Sequence, residues 1–292
     1  MAQLKEIRNR IVSVKNTRQV TSAMKMVSAS KLKKAQDMIL QIKPYERKLH
    51  EIIENLSLGV VEFSSAFFSE PALGSVLVVV IGGNRGLCGG FNTNVVKYSI
   101  LHSFDHFEYQ LKSGKVEFFS VGKQVEKGLK TKGIESFGEA NDLMLNLNVD
   151  EINELADRLI DLFQQGKFQR IDIVYNRFKN AAVQVLTAEQ FLPVIKPPTV
   201  DKESIVLSDF IYEPSKEEIL ESIVPQALKM QLHRILLDSN AAEQGARMTA
   251  MHQATENAND LIKELTTTYN NTRQSAITNE IVEITAGAEA LN

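Results

Sequence analysis

Apolar residues near the start of the chain recur at alternating spacings of three and four. Leu4, Ile7, Ile11 and Val14 mark one face of a helix in this way. Continuing that register reaches Arg18, Thr21, Lys25 and Ser28, which are poor core residues, whereas a shift of one residue selects Thr17, Val20, Met24 and Val27. The first register returns at Leu32, Ala35, Ile39 and Ile42, and again at Leu49, Ile53 and Leu56. The pattern predicts one long helix over residues 1–58 whose seam shifts in its middle, through local unwinding or a change of partner. The first glycine is Gly59, and Pro44 is the only proline before it. A proline in a regular helix interior bends the helix or costs about 3 kcal/mol.

The other end has the same character. Residues 215–292 contain two glycines, Gly245 and Gly287, and one proline, Pro225. Ser215 with Glu218 forms a capping box, placed just after Pro214. Apolar positions recur at Ile219, Ile223, Ala227 and Met230, then at Met251, Ala254, Ala258, Leu261 and Leu265. About 70 helical residues would reach about 100 Å, against an average helix of about 11 residues. Ala241, Ala242, Ala246, Ala250, Ala254 and Ala258 would let a second helix approach closely. Thr266 to Gln274 then turns polar and rich in poor helix formers, which suits a surface that hydrogen-bonds a partner without being fixed to it. Ile277, Ile281, Val282, Ile284 and Leu291 restore an apolar stripe at the end.

Between the helices the period changes. SVLVVVI, residues 75–81, reads as a strand buried on both faces. Thr93 to Leu111 reads as a helix, Val116 to Val121 as a strand with a short helix after it, and Val149 to Gln165 as a helix. Arg170 to Asn176 reads as a strand, Ala182 to Ala188 as its antiparallel partner, and Ile205 to Tyr212 as an edge strand. The alternation predicts a mostly parallel, layered, Rossmann-like α/β domain over residues 74–212, inserted into a long antiparallel coiled coil of the terminal helices 1–58 and 215–292.

Composition leaves this picture intact and charge adds to it. The chain has 292 residues, 43% hydrophobic and 24% charged, which suits a folded protein rather than a disordered one. A net charge of -3 gives no reason to expect nucleic acid. Residues 1–48, however, carry twelve Lys or Arg against three Asp or Glu, so this helix should face an acidic partner or an anionic surface. No apolar run approaches the length of a membrane span. The mixed-charge opening MAQLKEIRNR does not read as a signal segment.

Candidate chemistry is sparse. Gly82, Gly83, Gly86, Gly89 and Gly90 follow a strand and precede a helix, where phosphate cradles form. Yet there is no Lys-Ser/Thr ending, no G-x-G-x-x-G spacing, and no acidic residue at the end of the next strand, where Phe119 and Ser120 stand. The loop therefore reads as a tight turn that packs against the long helices. His102 and His106 stand four apart near Asp105 and Glu108, but nothing else supports a metal set. Cys88, the only cysteine, reads as a small buried hydrophobe. No catalytic constellation and no cofactor fingerprint is present, so an enzyme built on the central domain is the weaker reading, while the basic first helix and the α/β insertion also fit a generic coiled-coil scaffold.

Three segments carry a resemblance to a known family: IRNRIVSVKNTRQVTSAMKMVSASKLKKAQ at residues 7–36, RGLCGGFN at 85–92, and ARMTAMHQATENANDLIKELTTTYNNTRQSAITNEIVEITAGAEAL at 246–291. With them the chain resembles, over essentially its whole length, the gamma subunits of F-type ATP synthases. The resemblance implies a non-catalytic rotary central stalk. Its coiled coil would turn inside a ring of three alpha and three beta subunits, while the α/β domain would bind the epsilon subunit and the membrane rotor ring of c subunits. It implies no cofactor and a peripheral place on the cytoplasmic side of a bacterial inner membrane. It also implies partner contacts at Met24 and Lys25 towards the beta-subunit levers, at Arg273, Gln274 and Thr278 towards beta-subunit loops, at Ile281 and Val282 in an apolar sleeve, and at Arg85 in the central loop. The family usually has a Ser/Thr-Asp pair where Gly83 and Asn84 stand here, which puts any salt bridge at that loop in doubt.

Overall fold

The computed structural model describes residues 2–57, 66–68, 74–194, 213 and 215–289. It divides into two compact units, Met1–Ala29 with Arg247–Asn292, and Ser30–Ala246. Two helices contribute to both. Helix α1 runs Ala2–Ser57 with Pro44 inside it, and α6 runs Lys216–Glu289 with Pro225 inside it. Ser215 caps α6, its hydroxyl accepting from the Glu218 N–H at 3.2 Å.

Unit Ser30–Ala246 holds a five-stranded sheet. Its strands are β1 (Val76–Ile81), β2 (Val116–Val121), β3 (Ser136–Glu139), β4 (Arg170–Phe178) and β5 (Gln184–Leu192), ordered β3-β2-β1-β4-β5. The first four are parallel and β5 is antiparallel to β4. The helices α2 (Phe91–His106), α3 (Glu108–Lys112), α4 (Lys123–Thr131) and α5 (Val149–Gln164) connect the strands. Alternation along β1 decides the layers. Leu77, Val79 and Ile81 face a core completed by α5 and by Leu220, Val224, Leu228, Leu232, Ile235 and Leu236 of α6. Val76, Val78 and Val80 face Val95 and Val96 of α2 and Val125 and Leu129 of α4. Burying each of these side chains is worth about 1.5–3 kcal/mol as an upper estimate. The inserted α/β domain and the long terminal helices thus match the expected fold class.

Several elements differ from expectation. The predicted helix Thr93 to Leu111 breaks at Phe107, whose backbone leaves the helical region at φ -132°. Phe107 is buried in the core under α2, with the Arg170 guanidinium 5.0 Å above its ring, and that burial turns the chain. Strand β3 was not expected. It is four residues long, contains Gly138, and is only half-buried, so it carries little pattern. Strand β5 starts at Gln184 rather than Ala182, because Asn180 closes the turn by accepting the Ala182 and Val183 N–H groups. The edge strand expected over Ile205 to Tyr212 lies outside the described residues.

Candidate partner surfaces and the occupied crevice

In the unit built from Met1–Ala29 and Arg247–Asn292, the covered positions of α1 are Leu4, Ile7, Ile11, Val14, Arg18, Thr21, Lys25 and Ser28, with Ser22 and Met24 half-buried beside them. The expected shift of the seam is therefore wrong. Val20 is 58% exposed, Val27 is 57% exposed, and Thr17 turns outward to donate to the Ser13 carbonyl. Alternate spacings of three and four run straight through polar residues because those residues have partners on α6. The Thr21 and Thr255 hydroxyls are 2.8 Å apart, one donating to the other. Arg18 donates to Asn259 Oδ1 at 3.4 Å, and Lys25 Nζ is 3.2 Å from His252 Nδ1. Each advance of three or four residues on α1 is matched by a retreat of four or three on α6, the register of an antiparallel pair. The α6 seam continues through Ala258, Ile262, Leu265, Tyr269, Thr272 and Ala276. Leu261, expected on this face, is exposed, and Ile262 takes its place.

Of the partner-contact residues suggested by sequence, Met24 and Lys25 lie half-buried level with His252. Arg273, Gln274, Thr278, Ile281 and Val282 are all exposed on α6. At 1.5 Å per residue, Arg273 is about 30 Å along α6 from His252, so these residues form two surfaces rather than one site. Every described side chain from Ile277 to Gly287 is exposed, including Ile281 and Val282. Thr266, Thr267 and Thr268 hold their helical place by donating to the carbonyls of Ile262, Lys263 and Glu264. Arg85 is exposed in the glycine-rich loop of the α/β unit.

That loop borders the place where open α/β sheets bind ligands, the crevice outside the carboxyl ends of strands where the strand order reverses. Here the reversal lies between β1 and β4. Helix α6 fills it. Ala242 packs on Cys88 and Phe91 after β1, with Phe178 and Ala246 against them. Gly245 passes the β4–β5 turn so closely that a Cβ would stand 3.2 Å from Ala181 Cα and 3.4 Å from Phe178. Glu243, 5% exposed, lays its carboxylate on Gly83, and a Cβ there would meet Oε1 at 2.6 Å.

Amides tie the same loop to its surroundings. Asn84 donates to the Asn141 carbonyl at 2.6 Å and accepts the Lys123 N–H at 2.8 Å. Asn141 accepts the Gly122 N–H at 3.0 Å and donates to Glu126 and Glu139. Asn92 accepts the Gly83 N–H at 2.8 Å. Residue 84 must both donate and accept, which an amide does and a carboxylate cannot. This accounts for Asn84 where the resemblance implied an acid.

Two charge clusters, one buried and one half-buried, complete the α/β unit, neither of them foreseen. Asp172 is buried in β4, 2.8 Å from His102 Nε2 and 2.8 Å from Arg170 Nε. Burial pushes its carboxyl up, but the hydrogen bonds from His102 and Arg170 outweigh this and hold it below the usual aspartate range. Among the described residues no three or more His, Cys, Asp or Glu are grouped to hold a metal ion, and His102 is engaged by Asp172. In the second cluster Arg234 of α6 meets Glu46 of α1 at 2.5 Å, Glu189 of β5 at 2.6 Å and Asp238 at 3.7 Å. Tyr175 donates to Glu189 at 2.5 Å, and burial followed by that carboxylate pushes its phenol well up. Asp238 is pushed up to about 6, first by burial, with Glu189 and Glu46 adding to it against the opposing pull of Arg234 and Arg177. Sequence spacing gave no sign of either cluster, because their members come from separate elements.

Comparison with known proteins addresses the whole chain. The family model described as ATP synthase matches residues 3–291. The ATP synthase gamma chain of Flavobacterium johnsoniae is 48% identical over 294 residues, covering 100% of both chains. That of Flavobacterium psychrophilum is 47% identical over 293 residues, covering 100% of this chain and 99% of its own. Among solved structures, a chain of the Euglena gracilis mitochondrial ATP synthase OSCP/F1/c-ring shares the fold with a TM-score of 0.67 at 18% identity, covering 99% of this chain and 95% of its own. A chain of the Tetrahymena thermophila mitochondrial ATP synthase central stalk/c-ring does so with a TM-score of 0.59 at 22% identity, covering 80% of this chain and 99% of its own. On the strength of the full-length match and these relatives, the chain belongs to the ATP synthase gamma chain family, the non-catalytic central-stalk subunits of F-type ATP synthases.

Proposed function

We propose that the chain is a rotary coupler. Its helix pair turns inside a ring of three alpha and three beta subunits, while its α/β unit binds the epsilon subunit and sits on the membrane rotor ring of c subunits. Rotation of the ring then drives conformational change at catalytic sites that belong to other subunits, and the same coupling regulates ATPase activity and proton flow. The observation that carries this is full-length identity to gamma chains, 48% with no part of either chain left over. The helix-pair unit supports it with an exposed apolar end at Ile277, Ile281, Val282 and Ile284. Among the described residues no helix is long and apolar enough to cross a membrane, in keeping with a peripheral place at the cytoplasmic face of a bacterial inner membrane.

Met24, Lys25, Arg273, Gln274, Thr278, Ile281, Val282 and Arg85 are the proposed contact residues. Met24→Lys adds a charge to a sliding contact. In an assembled complex it should lower proton pumping more than ATP hydrolysis. Parallel assays of the two activities test this, and equal losses would remove Met24 from the coupling surface. Failure of the chain to co-purify with alpha and beta subunits would sink the reading as a whole.

A further inference from the structure

In the Ser30–Ala246 unit, α1, α6 and the end of β4 line a cavity of about 850 Å³, a volume usual for small-molecule sites. Ile39, Leu40 and Ile42 of α1, Leu237 of α6 and Phe178 of β4 give it an apolar wall. Glu46, Arg234 and Asp238 line it as well and are half-buried. Arg234 also holds Glu189, so one guanidinium serves three carboxylates. Glu46 and Glu189 take it at 2.5 and 2.6 Å, whereas Asp238 stands 3.7 Å away, beyond a hydrogen bond. Among the described residues no hydrogen-bond donor reaches the Asp238 carboxylate. The other charged lining residues, Lys33, Asp37, Lys43 and Arg177, are exposed. Water screens them, so they compensate a half-buried acid only weakly.

We propose that this cavity binds an amphiphilic monocation, an organic ammonium whose charge pairs with Asp238 and whose apolar body lies on Ile39, Leu40, Ile42, Phe178 and Leu237. An ammonium supplies the N–H donors that Asp238 lacks and offsets the excess of carboxylate at the inner end. An anion would meet three carboxylates there, and a neutral ligand would leave the excess charge in place. The titration of Asp238 agrees with this. Burial first, with Glu189 and Glu46 adding to it, lifts its carboxyl to about 6 against Arg234 and Arg177. A bound ligand would touch α1, α6 and β4 together.

A ligand-observed NMR titration of the full chain with hexylamine tests this. At pH 7.5 binding should saturate with a Kd on the order of 1 mM. Hexanol and hexanoate, of the same length but without the positive charge, should bind at least about tenfold more weakly. Asp238→Asn keeps the shape and removes a disfavoured charge, so it should fold, and it should lose at least about tenfold in affinity for hexylamine. Asp37→Asn, on the exposed rim, should change the affinity by less than about twofold. Leu40→Ser, which strips part of the apolar wall from an exposed position, should lose about threefold. At pH 5, where Asp238 is largely protonated, the parent should bind about tenfold more weakly than at pH 7.5. Unchanged binding by Asp238→Asn, by Leu40→Ser or by the parent at pH 5 overturns the proposal. So does hexanol or hexanoate matching hexylamine, an equal loss for Asp37→Asn and Asp238→Asn, or no saturable binding by about 10 mM.

Discussion

Arg234 gathers three carboxylates, and the charge does not balance. Glu46, Glu189 and Asp238 converge on one guanidinium, with Arg177 as a second cation acting on Asp238. A simple reading of the 3.7 Å contact would make Asp238 a stabilising ion pair with Arg234. Its surroundings weigh the other way, since burial, with Glu189 and Glu46 adding to it, outweighs the pull of Arg234 and lifts it from an ordinary 3.8 to about 6. An acid whose folded value is raised is disfavoured in its charged form by the fold. The penalty is absent below pH 4, grows as pH rises from 4 to 6, and is constant above that. A rise of about two units corresponds to about 3 kcal/mol at 1.36 kcal/mol per unit. Partial exposure reduces this to about 1–2 kcal/mol at pH 7.5. Asp238→Asn should therefore stabilise the α/β unit by that amount, seen as a higher urea midpoint with unchanged slope. The gain should roughly halve at pH 5, where most of the parent aspartate is already protonated in the folded state. A variant that is less stable than the parent at pH 7.5, or a gain that does not change between the two pH values, would refute the reasoning and restore Asp238 as a partner of Arg234.

Asp172→Asn should act in the reverse sense, removing the charge that holds Arg170 and His102 and destabilising the unit by about 2–4 kcal/mol at neutral pH in urea unfolding. Because Asp172 is held below its ordinary value, the stability it contributes is present above that value and is lost as pH falls through the depressed one, so the variant's deficit should shrink in acid. Asn84→Asp sets a carboxylate against the Asn141 carbonyl at 2.6 Å and loses a donor, which should lower stability by about 1–3 kcal/mol by the same measurement. Thr21→Val and Thr255→Val should each weaken the helix pair, and the double variant should lose less than the sum, with a coupling of about 0.5–1.5 kcal/mol from a double-mutant cycle on hydrogen-exchange protection.

What the sequence made legible follows from how many residues voted for each element. Val76–Ile81 is apolar at every position and is buried on both faces, so length and composition sufficed. The α5 helix repeats Ile152, Leu155, Ala156, Leu159, Ile160 and Phe163 on one face and was readable from its period. Ser136–Glu139 offered four residues and a glycine, and its pairing with β2 shifts register within them, so nothing local announced it. The break at Phe107 came from a tertiary pull on one aromatic ring. The seam of α1 was misread because apolarity was taken as the mark of a covered position, while Thr21 and Ser28 are covered with hydroxyls. Strict spacing was the better guide there, and it ran unbroken from Leu4 to Leu56. The proposed partner-contact residues came only through resemblance, since an exposed Arg273 or Ile281 differs from no other exposed residue until a partner is present. Glu243 and Gly83 lie far apart in sequence, and no local pattern joins them.

The contacts of α6 change in kind along its length, and that change bears on how torque could pass through it. From Leu220 to Leu236 the helix is held by apolar burial, with Leu220, Val224, Leu228, Leu232, Ile235 and Leu236 each at 3% exposure or less. Such burial is worth about 1.5–3 kcal/mol per side chain, and close packing makes this stretch a firm attachment. From Ala242 to Ala246 small residues bring it against two loops, where tolerance for displacement is lowest because Gly83 and Gly245 have no side chain to adjust. Beyond that, three polar pairs join it to α1, each worth about 1 kcal/mol and each sensitive to axial position through hydrogen-bond direction. After Ala276 it has only solvent-exposed side chains in the described chain. Along its sequence α6 is graded from apolar burial through polar pairs to exposed side chains, an order that suits the coupling role proposed above. The polar pairs stand between the two regimes. They resist axial sliding by geometry rather than by binding energy, which is why the Thr21–Thr255 cycle should show coupling without a large effect of either substitution alone.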